Sequence, residues 1–156
     1  MAKQHRVIEL DEVVVKFAGD SGDGMQLTGT QFSDTSAFIG NDLSTFPDYP
    51  SEIRAPQGTV AGVSGFQVHI GHKEISTPGD QADVLVAMNP AALKANMKWL
   101  KDGATIIIDI DNFDNKQYKQ AGYIEEPRHD ESLDGYNVVQ AAIRELGRNG
   151  AVQHGL

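Results

Sequence analysis

The chain has 156 residues, about the length of one domain, and its 40% hydrophobic and 22% charged residues are typical of a soluble globular protein. Because it has no cysteine, it cannot itself form disulfides, thiolate zinc sites or thiolate-bound iron–sulfur clusters. Its net charge of −9 argues against nucleic-acid binding, and no apolar run approaches the roughly 18 residues of a membrane-spanning helix. The N-terminus lacks the apolar core of a secretory signal, so we expect a cytoplasmic protein.

The first predicted unit is a strand, a glycine loop and a helix. Residues 13–18, VVVKFA, are typical of a buried strand, and the glycine loop 19–24, GDSGDG, leads into helical spacing over residues 25–39. Such a loop can bring backbone amides to a phosphate at the positive end of a helix. It matches the dinucleotide fingerprint poorly, because Leu27 stands where a third glycine or alanine belongs. A tight turn without a ligand is the alternative.

A second candidate is the proline-rich stretch that follows. Three prolines within residues 43–58 predict a mostly irregular segment, with an extended stretch near residues 43–46. Glu52, Arg54 and Gln57 on such a stiffened loop can hold an anion or a partner surface. A solvated loop with a Glu–Arg ion pair explains the same residues equally well.

Residues 63–70 alternate between apolar and polar side chains, which predicts a half-buried strand. Its polar face, which carries Gln67 and His69, should meet water or a partner. We predict no metal site at His69 and His72, because residues three apart on a strand face opposite sides.

A β-α-β unit comes next. Residues 84–88 predict a buried strand, and Asn89 as N-cap with Pro90 at the first helical position predicts a helix that ends near residue 100. Residues 104–109 predict another buried strand. Strands that alternate with helices in this way predict an α/β fold, with a largely parallel sheet and helices on both faces.

The pattern weakens toward the end of the chain. Residues 112–134 are polar or charged, residues 136–139 predict a last short strand, and residues 140–146 predict a helix. Asp109 begins an acidic run that does not match a calcium-binding loop, so we interpret it as an acidic strand end.

Five motifs together closely resemble the gamma domain of the 2-oxoacid:ferredoxin oxidoreductases. They are GDSGDG at 19–24, FPDYPSEIRAPQG at 46–58, VSGFQVH at 63–69, PGDQAD at 78–83 and MNP at 88–90. The resemblance covers roughly residues 10–139 and is greatest to the N-terminal part of the alpha subunit of 2-oxoglutarate:ferredoxin oxidoreductases of the KorA type.

The resemblance implies a Rossmann-like three-layer α/β/α sandwich of the pyruvate:ferredoxin oxidoreductase domain III type. It implies a part of a thiamine-diphosphate-dependent enzyme that oxidatively decarboxylates a 2-oxoacid, expected to be 2-oxoglutarate, reduces ferredoxin and releases an acyl-CoA. In this family thiamine diphosphate, magnesium and the iron–sulfur cluster lie mainly on a beta subunit, and the oxoacid is held largely by an alpha catalytic domain. The gamma domain is expected to be noncatalytic alone and to contribute to assembly and CoA access.

The resemblance also implies cofactor-binding positions. Those that match the family's motifs near CoA are Gly22, Gly24, Ser51, Glu52, Arg54 and Gly58. We expect no catalytic or metal-binding residue in this chain. Expected partners are the beta subunit, the missing alpha catalytic domain and, indirectly, ferredoxin, with no nucleic acid and no membrane.

We assign residues 1–139 to the gamma-type domain and residues 140–156 to an atypical tail. Since the family continues into a catalytic domain, we expect the chain to be a truncated, frameshifted or excised fragment. A stand-alone Rossmann-like nucleotide-binding dehydrogenase is the alternative function, suggested by the strand, glycine loop and helix. A degenerate product without a function is suggested by the glycine-spaced tail.

Overall fold

A computed structural model of the chain describes residues 7–20, 24–48 and 63–143, and its centre is a mixed sheet. The strands are β1 (Glu12–Gly19), β2 (Asp42–Asp48), β3 (Ser64–Gly71), β4 (Ala82–Ala87), β5 (Leu100–Asp109) and β6 (Asn137–Ala141). The helices are α1 (Met25–Phe38), α2 (Pro90–Asn96) and α3 (Asn115–Gln120), with short 3₁₀ turns at Met97–Trp99 and Ile110–Asn112.

The strands lie in the order β2-β3-β1-β4-β5-β6. Strands β1, β4, β5 and β6 pair in parallel, whereas β3 is antiparallel to both β1 and β2. Of the strands among the described residues, β3 alone runs against the others. It begins at the edge of the sheet where β2 ends, so the chain returns without crossing the sheet. The predicted α/β fold with a largely parallel sheet is confirmed, and β3 is the departure from it.

Helix α1 covers one face of the sheet and packs very closely on it. A Cβ atom added to Gly29 would lie 2.3 Å from Cδ1 of Phe66, so only a glycine permits this approach. The residues that α1 buries are Met25, Gly29, Ser33 and Ser36. Large apolar side chains stand on its outer side instead, and Phe38 is 91% exposed. The predicted helix is confirmed, and it ends one residue before Ile39.

Helices α2 and α3 cover the opposite face, so the fold has three layers. Leu93 of α2 and Tyr118 of α3 pack into the same buried cluster as Ile106 and Ile108 of β5. The predicted helix after Pro90 is shorter than expected, because its last turn tightens into a 3₁₀ turn before β5 begins. The sequence did not predict α3, in which Tyr118 is the buried residue.

The predicted helix over residues 140–146 is wrong at its start. Gln140 and Ala141 belong to β6 and pair with Ile108 and Asp109 of β5. Pairing with a buried strand outweighs local helical propensity here. Residues 144–146 lie outside the described part of the chain.

The polar face of β3 is partly covered by the chain itself, because His69 is buried and Gln67 is half-buried. Residues 75–79, which we call the cover segment, lie across it. His69 is buried, with its Nδ1 2.7 Å from the carbonyl oxygen of Thr77. Nε2 of Gln67 donates to the carbonyl oxygens of Pro78 and of the residue after it, at 2.5 and 2.8 Å. Backbone carbonyls of the chain itself therefore contact this polar face, and Nε2 of His69 lies 3.4 Å from Oε2 of Glu12. No periodic pattern reveals these contacts.

The close packing of the cover segment depends on Gly79, and Gly103 is a matched control for a substitution at Gly79. Gly79 has a φ of 78°, and a Cβ atom there would lie 2.6 Å from Cγ2 of Val14. Gly103 has a φ of 74° with no atom within 4 Å of such a Cβ. We expect Gly103→Ala to lower the free energy of unfolding by about 1 kcal/mol, through backbone strain alone. Gly79→Ala should lower it by about 3 kcal/mol, because overpacking adds to the strain.

Chemical denaturation of the two variants beside the unmodified chain measures both losses. Equal losses would show that the close approach of Gly79 to Val14 does not contribute to stability.

Two tyrosines near α3 make stability depend on pH in alkaline solution. The rings of Tyr118 and Tyr123 pack edge to face, with centroids 5.9 Å apart, and the hydroxyl of Tyr118 donates to Oε1 of Glu126 at 3.2 Å. Burial raises the pKa of Tyr118 to about 12, and it raises the pKa of Tyr123 as well. Each hydroxyl therefore keeps its proton in the folded chain at a pH where the unfolded chain loses it.

The contribution of Tyr118 to stability is present below pH 10, the ordinary pKa of a tyrosine, and is lost as the pH rises toward 12. We expect the free energy of unfolding to fall less steeply over this range in Tyr118→Phe than in the unmodified chain. Denaturation at a series of pH values measures the two slopes. Identical slopes would contradict the assignment to this residue.

Candidate functional site at the carboxyl edge of the sheet

The order in which the chain adds strands to the sheet reverses between β1 and β4. From β1 the chain passes through α1 to β2 on one side, and from β4 it passes through α2 to β5 on the other. The carboxyl ends of β1 and β4 therefore border a crevice that neither crossover covers. Open α/β sheets bind their ligands at this kind of position.

Two of the sequence motifs meet at this crevice. The glycine loop leaves β1 after Gly19, and the MNP motif follows β4. The backbone N–H of Met88 donates to the carbonyl oxygen of Ala18 at 2.9 Å, which holds the two strand ends together.

Gly24 occupies the position from which α1 starts. Its φ of 75° lies in the left-handed region that favours glycine, and α1 has no side-chain N-cap. The space around a Cβ at this position is open. Gly24 has no side chain that could cap the first backbone N–H groups of α1, which lie at the positive end of the helix dipole.

Both ends of the second loop lie at the same edge. Asp48 pairs with Gly65, and Ser64 pairs with Gly19 at the end of β1. The residues between these ends, 49–62, lie outside the described part of the chain. So do five of the six predicted cofactor-binding residues, namely Gly22, Ser51, Glu52, Arg54 and Gly58. The structure thus places Gly24 and the ends of both loops at one edge, and the contacts of the other five residues stay predictions.

Two buried polar side chains strengthen this edge. Asn89 was predicted as an N-cap, and this is confirmed, because its Oδ1 accepts from the N–H of Ala92 at 2.8 Å. Asp109, which the sequence showed only as an acidic strand end, is 2% exposed. Its Oδ2 accepts from Nδ2 of Asn112 at 3.0 Å, and its Oδ1 accepts from the N–H of Ile143 at 3.2 Å. Asp109 therefore ties the end of β5 to the chain beyond β6.

The described groups at this edge can hydrogen-bond a ligand. They include backbone amides, the buried hydroxyl of Ser64, the side chain of Asn89, and the carboxylate of Asp109, which N–H donors already engage. Within residues 7–20, 24–48 and 63–143, no three His, Asp or Glu side chains are placed to hold a metal ion. None of the helices in these ranges has the length and apolar character needed to cross a bilayer.

Comparison with known proteins settles the family. Residues 14–153 match the family described as pyruvate ferredoxin/flavodoxin oxidoreductase. The chain belongs to this family. It is 51% identical over 137 residues to the 2-oxoglutarate oxidoreductase subunit KorA of Mycobacterium tuberculosis. That match covers 88% of this chain and 21% of KorA, so the chain spans about a fifth of its curated relative.

Solved structures agree on the fold. The chain is similar to a 2-oxoglutarate:ferredoxin oxidoreductase from Magnetococcus marinus, which was solved with 2-oxoglutarate, coenzyme A and succinyl-CoA bound. The TM-score is 0.66, and the sequence identity is 23% over 90% of this chain and 22% of that one. It is also similar to a keto/oxoacid ferredoxin oxidoreductase gamma subunit from Geobacter sulfurreducens, with a TM-score of 0.59 and 20% identity over 90% of this chain and 66% of that one. The resemblance stated from the motifs, including its KorA type, is confirmed, and so is the fold class.

The contribution of the N-cap Asn89 to stability can be compared with that of a second N-cap, Asp114 of α3. The acceptor Asn89 and the donor Ala92 are both buried, whereas the equivalent bond of α3, from the N–H of Gln117 to Oδ1 of Asp114, is exposed. Asp114→Ala should lower the free energy of unfolding by about 1 kcal/mol. Asn89→Ala should lower it by about 2 kcal/mol, because a buried N–H is left without its acceptor.

Thermal and chemical denaturation of the two variants gives this comparison. A loss at Asn89 no larger than the loss at Asp114 would mean that water replaces the missing acceptor.

Proposed function

We propose that this chain is a noncatalytic part of a thiamine-diphosphate-dependent 2-oxoacid:ferredoxin oxidoreductase, with 2-oxoglutarate as the oxoacid. The observation that carries the proposal is the 51% identity to the KorA subunit across 88% of the chain. The family match also argues against the alternative of a stand-alone nucleotide-binding dehydrogenase.

The proposed distribution of the cofactors among the subunits follows from the composition of this chain. It has no cysteine, so its residues do not fit an iron–sulfur cluster held by thiolates. We place the cluster, thiamine diphosphate and magnesium on a beta subunit, and the oxoacid contacts on an alpha catalytic domain. Ferredoxin then meets the beta subunit and not this domain. The assembled enzyme is proposed to act in the cytoplasm.

The role of this domain is proposed to be the binding and orientation of CoA at the carboxyl edge. CoA supplies the thiol that accepts the acyl group. The open position at Gly24 and the first backbone N–H groups of α1 suit a phosphate group, because these donors lie at the positive end of the helix dipole. Gly22 would extend this amide surface. The second loop would add Ser51, Glu52, Arg54 and Gly58, of which Arg54 carries the charge that a phosphate requires.

Binding of CoA to the purified chain tests this role. At a concentration a hundred times its Kd, CoA should raise the free energy of unfolding by about 2.7 kcal/mol. Arg54→Ala should lose a charge-assisted hydrogen bond of about 1.5 to 3 kcal/mol, which weakens CoA binding roughly 10- to 150-fold. Lys73→Ala is the matched control, because this exposed lysine follows β3 at the opposite edge of the sheet. It removes one positive charge and should leave CoA binding unchanged.

The outcomes separate the two functions. Stabilisation by NADH and not by CoA would favour the dehydrogenase. An equal loss in both variants would mean that Arg54 acts only through the net charge. Reduction of a dye by the chain alone, with 2-oxoglutarate, thiamine diphosphate and CoA supplied, would contradict the noncatalytic role.

A further inference from the structure

The two outer strands of the sheet, β2 and β6, differ in how their edges are protected. An edge strand presents a row of unpaired backbone N–H and C=O groups, and charged residues or proline commonly prevent another strand from pairing there. Strand β2 has the sequence DLSTFPD, which includes Asp42, Pro47 and Asp48. Strand β6 has the sequence NVVQA, with no charged residue and no proline. Strand β6 therefore lacks the protection that β2 has.

Strand β6 is also poorly covered by the rest of the chain. Among the described residues it pairs only with β5, and the side chains of Asn137, Val139 and Gln140 are exposed. Val139 is 43% exposed, although it is a β-branched residue of the type that favours strand pairing. Burial of this side chain by another strand would remove apolar surface from water.

A cavity of about 360 Å³ lies beside β6. The apolar residues that line it include Leu133, Tyr136 and Val138, of which Tyr136 and Val138 are only partly buried. A strand added next to β6 would place its own side chains over this cavity. The added contact would extend beyond the backbone to these apolar groups.

A second copy of β6 fits this edge in the antiparallel orientation. If Val139 lies on the two-fold axis, it pairs with Val139 of the second copy, and Asn137 pairs with Ala141 of the second copy. Two β-branched side chains in direct opposition stabilise such a pairing. No pair in this register brings like charges together, because the strand carries no charge.

The charges near the ends of β6 also permit antiparallel pairing. Asp134 precedes the start of the strand, whereas Arg128, which is paired with Glu126, donates to Gln140 near its end at 3.4 Å. Antiparallel pairing keeps the two Asp134 carboxylates at opposite ends of the joined strands. The net charge of −9 on each copy opposes association at long range, but physiological salt screens charges more than about 8 Å apart.

We propose that β6 is an interaction surface on which a second copy of this chain pairs in the antiparallel orientation, so that the two sheets become one continuous sheet. Each copy contributes a strand of 5 residues. We therefore expect a weak dimer, like other transient contacts that bury less than about 1,200 Å². The proposal rests on β6 and its neighbours and is independent of the proposed function.

Sedimentation equilibrium of the purified full chain, over a wide range of protein concentration, tests for the dimer. We expect a reversible monomer–dimer equilibrium that added salt strengthens. Val139→Lys should raise the Kd of the dimer at least tenfold, because it places two ammonium groups opposite each other. Thr45→Lys is the matched control, because it adds the same charge at an exposed position of β2, and it should not weaken the dimer. A chain that stays monomeric at every concentration, or an equal loss in both variants, would overturn the proposal.

A cysteine introduced into β6 tests the register, because the chain has no cysteine of its own. Directly opposed residues of antiparallel strands have Cα atoms about 4.5 to 5.5 Å apart, which is within the range that a disulfide spans. Val139→Cys should therefore form a disulfide-linked dimer under mild oxidation, detected by non-reducing electrophoresis. Asn137→Cys should not, because its two copies would lie about 13 Å apart along the joined strands. Equal cross-linking of the two variants, or none in Val139→Cys, would also overturn the proposed pairing.

Discussion

Strand β1 is hydrogen-bonded to an antiparallel strand on one side and to a parallel strand on the other, and the whole arrangement depends on these two pairings. The pairing with β4 aligns two carboxyl strand ends and creates the crevice. The pairing with β3 brings the ends of the second loop to the same edge. If either pairing were shifted by one residue, the side chains of β1 would change faces relative to that neighbour, and Phe17 would leave the core under α1. One strand therefore sets the geometry of the candidate site.

The parts of the fold that could be predicted are those with a strong local pattern. The run VVVKFA with its glycine loop, and the apolar strands on either side of Asn89 and Pro90, have few alternative structures. Helix α3 could not be predicted, because Tyr118 is its one buried residue. A single buried position cannot show the repeating spacing by which a helix is recognised in a sequence. The role of Asp109 was also hidden, since one of its donors, the N–H of Ile143, is 34 residues away in sequence.

The residues of the candidate site also divide into those that a local sequence pattern reveals and those that it does not. Gly24 and Asn89 could be found from sequence because each obeys a local rule, one for a left-handed residue before a helix and one for an N-cap. The residues of the second loop came from a resemblance between motifs, because no local rule connects a proline-rich loop to CoA.

Helix α1 has an unusual relation to the sheet, because Met25 is the one large residue that it buries beside glycine and serine, while several large apolar side chains stay on its outer side. Close packing on small residues gives good contact but removes little apolar surface from water. The strands β4 and β5, by contrast, are buried among isoleucine and leucine side chains from their neighbours. Local opening requires least free energy where few apolar contacts are lost. The wall of the crevice that begins at Gly24 is thus the layer that can separate from the sheet at the least cost, while the strands that carry the rest of the site stay paired.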